Sequence, residues 1–312
     1  MEIFWLDFMQ RAWLAGFFMA VLCPVIGCFL VLRHQSMIGD GLGHIAFAGV
    51  AGGALLGFQP VLSAAAATVL GALLIEKVRA KMRDYSDLIL ALFFYAGMGL
   101  AVVFTSLNRG GGVSLSSVLF GSLMTISTLD LYIVGALGLF VIAFVALLYR
   151  PLQYLAFDEV SARVAGLPTV SLNLWLSVLT ALTVALSMRI VGILLVAAMM
   201  VVPVACSLLV ARSFSGTLLG AVCFGLFSVA AGMFLSYYAN LAPGGTIVLT
   251  GVACFLLCLA LRLAPHAPDG TAAAFLRPSL LGRFPCLAGM PVYRKQVCPE
   301  AFFCDGPAES IV

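Results

Sequence analysis

Two ionisable residues stand inside an apolar stretch of this chain: Asp40 and His44, in Gly39-Asp40-Gly41-Leu42-Gly43-His44. Residues four apart on a helix project from one face, one turn above the other. A carboxylate oxygen and an imidazole nitrogen placed that way can grip one divalent transition-metal ion together. A plainer role is also open: Asp40 caps the start of its helix and His44 hydrogen-bonds to a neighbour. Ionisable groups within a membrane span are costly, which makes such a pair a candidate functional site. Ala48 and Gly52 continue the same face, and beside it Gly49, Gly53 and Gly57 repeat every fourth residue. Small residues at that spacing let a second helix approach closely, so the pair should lie inside a bundle.

A second segment is organised for contact. Between Pro151 and Pro168 the sequence contains Asp158-Glu159-Val160-Ser161-Ala162-Arg163-Val164-Ala165-Gly166. It reads as a short amphipathic helix over Asp158 to Ala165. Acids stand at its N-terminus, where the helix dipole favours them. Gly166 suits a C-cap and Pro168 stops any continuation. Such a helix is either an ordinary connection or an element that docks on another protein.

Other chemistry is thin. Histidine occurs at His34, His44 and His266 only, too few for a multi-histidine catalytic centre. The chain holds no G-x-x-x-x-G-K-[ST] loop, H-E-x-x-H helix or G-x-S-x-G elbow, so no motif for ATP hydrolysis or peptide cleavage is present. Met199 and Met200 could be soft ligands but fit packing, and Pro203 should kink its helix. Cys23, Cys28, Cys206, Cys223, Cys254 and Cys258 lie in apolar runs as small hydrophobes, and Cys286, Cys298 and Cys304 lack CxxC spacing. A reduced, structural role is expected for them.

The elements that must hold the Asp–His pair follow from composition. Of 312 residues, 63% are hydrophobic and 9% charged, against roughly 25% charged in a soluble domain. The solvent must be lipid. A crossing needs about 20 apolar residues, and candidate spans fall at 12–32, 37–58, 60–80, 87–107, 128–149, 170–188, 190–211, 214–238 and 245–263. The fold class is therefore all-α, a polytopic transmembrane bundle of about nine spans. Val113 to Ile126 is apolar but short. The most basic loop, Glu76 to Arg83, is assigned to the cytoplasm, which puts Arg33, Arg150, Arg163, Arg212 and Arg262 on that side too. The N-terminus is then outside and the C-terminus inside. Residues 1–263 form the membrane domain, and 264–312, rich in Pro, Gly and charge, is expected to be a disordered, dispensable cytoplasmic tail. The net charge of +3 gives no reason to expect nucleic acid.

Four blocks in order make the chain resemble the zinc/manganese-type metal permeases of ATP-binding cassette importers. They are Gly39-Asp40-x-Leu42-x-His44, then Leu119-Phe120-Gly121-Ser122, then Asp158-Glu159-x-x-Ala162-x-x-x-Gly166-Leu167-Pro168. The last joins Val191-Gly192-x-Leu194-Leu195 through Met200 and Pro203 to Ala205, with Pro243-x-Gly245-x-x-x-Val248-Leu249 after it. The likeness covers about residues 12–262. It implies a type II importer fold in a cell membrane and two permease copies around a central path. Cassette ATPases would bind on one side and an extracellular metal-binding protein on the other. It further implies that Asp40 and His44 contact Zn2+ or Mn2+ in transit, with zinc the first expectation and no permanently bound cofactor. Asp158, Glu159, Ala162, Arg163 and Gly166 would belong to the helix that couples to the ATPase. Ser122 stands where some relatives carry an acid, and the tail has no counterpart. On that reading the chain is no enzyme, since hydrolysis belongs to its partner. A motor-independent secondary transporter or channel is the rival, and it would need a coupling carboxylate deep in a span; besides Asp40 only Asp130 qualifies.

Overall fold

The computed structural model describes residues 7–82, 85–107, 128–239 and 241–263. Among these residues the chain forms eleven helices and no strand. They are α1 (Asp7–Leu32), α2 (Ile38–Leu56), α3 (Pro60–Lys81), α4 (Ser86–Leu107), α5 (Thr128–Leu147), α6 (Tyr149–Phe157) and α7 (Glu159–Val164). After them come α8 (Thr169–Val191), α9 (Ile193–Val210), α10 (Phe214–Ala239) and α11 (Pro243–Leu263). All but the last residue of α11 belong to one compact unit, Met1–Arg262. The short apolar stretch 113–126, the Leu119–Ser122 block and the tail 264–312 lie outside the described residues.

Among the described residues seven helices are long and apolar enough to cross a membrane, and an eighth crossing arises if the pair α5–α6, bent by 72°, counts as one span. The ninth expected span is α9, whose apolar run Leu195–Val210 is shorter than the others. Its start falls at Ile193 rather than 190 because Gly192 ends α8 at φ 91° and ψ 156°, a backbone region open essentially to glycine alone. Large apolar side chains remain exposed along the spans, among them Leu70, Leu74, Leu92, Leu100, Leu249 and Leu256. In water such rows would be costly; against lipid they are the expected outer face.

The core is built around α1 and α2. Met19, Leu22, Ile26 and Phe29 of α1 are fully buried, as is Leu42 of α2. Helix α2 packs against α3, α4, α8 and α9, while α1 meets α5, α8, α9 and α10. Small residues permit this crowding. A Cβ added at Gly49 would fall 2.9 Å from the Ser63 carbonyl oxygen and 2.6 Å from the Ala67 methyl, both on α3. One at Gly97 of α4 would fall 2.9 Å from the Ile45 nitrogen. One at Gly27 of α1 would land on the Met200 carbonyl of α9. The small-residue repeat on α2 thus seats α3 through Gly49 and Gly53, as the spacing suggests. Gly57 differs: it caps α2 at φ 72°, its N–H donating to the Gly53 carbonyl, and touches nothing across the helix.

Two local expectations change. Glu76 to Lys81, read as part of a loop, forms the last turns of α3, placing Arg79 and Lys81 where the helix dipole favours cations. Pro151, read as a bracket before a polar connection, sits in the first turn of α6. That position is open to proline because its missing N–H would have no intrahelical partner.

Candidate functional site

Asp40 and His44 share α2, one turn apart, and both are half-buried. The capping alternative does not match the geometry. The N-cap residue is Met37, which makes no side-chain cap, and Asp40 stands third in the helix. Nor does His44 have a neighbour at both nitrogens: its Nδ1 is buried without a hydrogen-bond partner. An orphaned buried nitrogen is costly unless something occupies it. The ring is held edge-on against Phe94 of α4, centroids 4.5 Å apart and planes at 74°. The backbone behind it is fixed by Gly97, and Gly39 and Gly43 back onto Ala197 and Ile193 of α9. The break at Gly192 therefore adjoins the site helix, one residue before the Ile193 side chain that meets Gly43.

Two donors are fewer than a metal ion usually takes from protein. Among the described residues no group of three or more His, Cys, Asp and Glu gathers anywhere. Met199 and Met200 are buried in the core, Met200 with its sulfur toward Gly39, which is packing. Cys23, Cys28 and Cys206 are free and buried; Cys223, Cys254 and Cys258 are free and partly or fully exposed. Cys23 joins a small polar chain, its Sγ 3.1 Å from the Ser187 hydroxyl. The side chain of Asp130 and the tail residues His266, Cys286, Cys298 and Cys304 lie outside the described set.

The contact segment is helical where expected and more firmly capped. Asp158 is the N-cap of α7: its Oδ1 accepts from the Val160 N–H at 2.8 Å and its Oδ2 from the Ser161 hydroxyl at 2.6 Å. At the other end Gly166 stands at φ 80°. The Gly166 and Leu167 N–H groups donate to the Arg163 and Ala162 carbonyls, a Schellman closure. Ala162 turns into the bundle, whereas Val160 and Val164 are 71% and 84% exposed and Arg163 lies out with them. Glu159 faces inward on one side. Its Oε2 lies 3.4 Å from Arg33 Nη2 at the end of α1, and its Oε1 lies 3.3 Å from Arg163 Nη2. A cavity of about 680 Å³ opens beside this pair, bordered by Arg33, Glu76, Lys77, Arg79, Glu159 and Asn173 among others. There Glu76 binds Arg79 at 3.3 Å and accepts from the Ser177 hydroxyl at 3.3 Å, joining α3 to α8. Burial draws the Arg33 guanidinium below its usual range; the Glu159 and Glu76 carboxylates pull it back and Arg79 adds repulsion. Helix α6 and the Arg33 contact were not readable from the sequence.

Residues 5–262 match the model of the ABC 3 transport family, and the chain belongs to that family. It is 40% identical to a probable metal transport system membrane protein of Treponema pallidum, over 83% of this chain and 97% of that one. It is 34% identical to the manganese transport system membrane protein MntC of Halalkalibacterium halodurans, over 83% and 88%. Its fold is similar to that of PsaBC from Streptococcus pneumoniae, solved in complex with Fab, with a TM-score of 0.75, 26% identity, and 83% and 93% of the two chains covered. The resemblance read from the four blocks agrees with these matches.

Proposed function

We propose that this chain is the membrane-spanning permease of an ATP-driven importer for a divalent transition-metal ion, with hydrolysis on a separate cassette ATPase. The observation that carries the reading is the buried, unpartnered Nδ1 of His44 one turn from Asp40. A metal ion would satisfy it, and the carboxylate would balance part of the ion's charge. One Asp and one His bind weakly alone. A second copy of the chain would bring the set to four, enough to hold the ion and few enough to release it. Of the two cargoes, manganese gains weight over zinc because relatives such as MntC are named for it; the donors themselves accept either. The face carrying Arg33, Arg79 and Arg163 is assigned to the cytoplasm, where Val160, Arg163 and Val164 would meet the ATPase. An extracellular metal-binding protein would deliver cargo to the other face.

The test is uptake of radiolabelled manganese and zinc, each with the other as competitor, into vesicles holding the permease and its ATPase. Asp40→Ala and His44→Ala should each abolish ATP-dependent uptake while insertion and ATPase association stay normal. Full uptake by either variant would remove the pair from the pathway.

A further inference from the structure

We infer that Arg33 is a positioning residue that ties the docking helix α7 to the site helix α2. The inference rests on the permease reading above. Arg33 and Glu159 are 126 positions apart in sequence, yet their side chains meet at 3.4 Å, and the Arg33 side chain is only 9% exposed. The second Glu159 oxygen is held by Arg163 within α7, which fixes the direction of the carboxylate. Glu159 is the first residue of α7, directly after the Asp158 cap, so it moves as α7 moves.

On the other side of the pair the chain is short and stiff. Five residues, Arg33 to Met37, separate α1 from α2. His34 closes α1 at φ 56°. Its N–H donates to the Val31 carbonyl and that of Gln35 to the Leu30 carbonyl. The Ile38 N–H then donates to the Gln35 carbonyl, so α2 starts on the same turn. Asp40 follows two residues later. A displacement of α7 by a docked ATPase would pull Glu159 and Arg33 and so shift the first turn of α2. That turn carries one of the two donors. Helix α7 also touches α6 and α8, and through Glu159 and Arg33 it reaches the connection into α2.

The experiment uses the permease co-reconstituted with its ATPase and reads metal transported per ATP hydrolysed. Arg33→Met keeps the aliphatic stem and removes the charge; Glu159→Gln keeps the shape. Each should lower the ratio at least about fivefold while ATPase association and metal retention by the complex stay within twofold of the parent. Arg33→Lys should recover most of the ratio, and Arg33→Met with Glu159→Gln should be no worse than either alone, as for two ends of one contact. Should Arg33→Met fail to assemble, Glu159→Gln and Arg33→Lys still give the comparison. An unchanged ratio in Glu159→Gln, or losses that multiply in the double variant, would overturn the inference. Parent vesicles accumulating metal without ATP would defeat the permease reading itself, and the inference with it.

Discussion

Helix α2 and the segment α6–α7 are specified by opposite means. Along α2 the constraint is space: Gly49 against α3, and Gly97 of α4 against His44 and Ile45, leave no room for a methyl group, and their neighbours there include backbone atoms. At the end of α7 space is ample. A Cβ at Gly166 would meet nothing within 4 Å; what fixes the segment is backbone conformation, the Asp158 cap and the Glu159 ion pairs. A packed interior is rigid and divides into discrete arrangements, which would suit a helix holding Asp40 and His44 at one spacing for an ion. A segment held by caps and charges at the surface can be moved by a partner without repacking the core.

The largest effect should come from filling the tight interface. Gly49→Val should cost about 3 kcal/mol or more, as overpacking against atoms that cannot rotate away does. Helix α3 presents the Ser63 carbonyl and the Ala64 Cα at that point, and neither has a rotamer to offer. The variant should fall out of the monodisperse peak in detergent. A stable, well-assembled Gly49→Val would mean that α2 and α3 do not meet at Gly49. Gly166→Val is the contrasting change. With φ at 80° a β-branched residue in the left-handed region costs about 1–2 kcal/mol, confined to α7. The chain should remain assembled and bind metal, yet lose most of its ATP-coupled transport. Uptake unchanged and indifferent to ATP would favour a motor-independent carrier.

The sequence reveals these two regions to different depths. The nature of the spans and roughly their number were legible because each crossing needs its own apolar run, and lipid leaves no other use for such runs. Asp40 and His44 stood out because ionisable residues are rare in that background. The end of α7 was legible as well, since Gly166 and Pro168 each carry a local backbone preference; Asp158, read as a helix residue favoured by the dipole, is instead its N-cap. Helix α6 was missed because Pro151 marks the first turn of a helix as readily as a break. The partner of Arg33 was hidden because an ion pair across 126 positions depends on how helices cross, which no local pattern encodes. Gly57 was misassigned to the packing stripe for a related reason: every fourth residue being small does not say where the helix stops.

A smaller effect is expected at the Asp158 cap. Asp158→Ala removes the acceptor for the Val160 N–H and should cost about 1 kcal/mol. Because α7 is only six residues long, most of that loss should appear as fraying of this helix. Transport should drop partially, short of the loss in Gly166→Val, and Asp158→Ser should restore much of it. Equal activity in all three would show that the partner selects α7 rather than finding it formed.

The smallest effect belongs to His34, and it separates a backbone role from a chemical one. His34 is exposed and is the only non-glycine residue with positive φ among the described residues, at 56°. It closes α1 just before the site helix, where its histidine could invite a metal-binding reading by proximity to Asp40 in sequence. The left-handed conformation costs an L-residue roughly 1 kcal/mol. His34→Gly removes that strain but adds freedom to the unfolded chain worth about 0.4–1 kcal/mol, so the two terms nearly cancel. Melting in detergent should therefore shift little, and metal uptake should match the parent. His34→Val keeps the strain and worsens it with a branched Cβ, so it should melt lower while still transporting metal. If the imidazole itself served the ion, both variants would lose uptake together, whatever their stability. Normal uptake in His34→Gly, beside none in His44→Ala, would place the chemistry on α2 and leave the turn before it a purely conformational task.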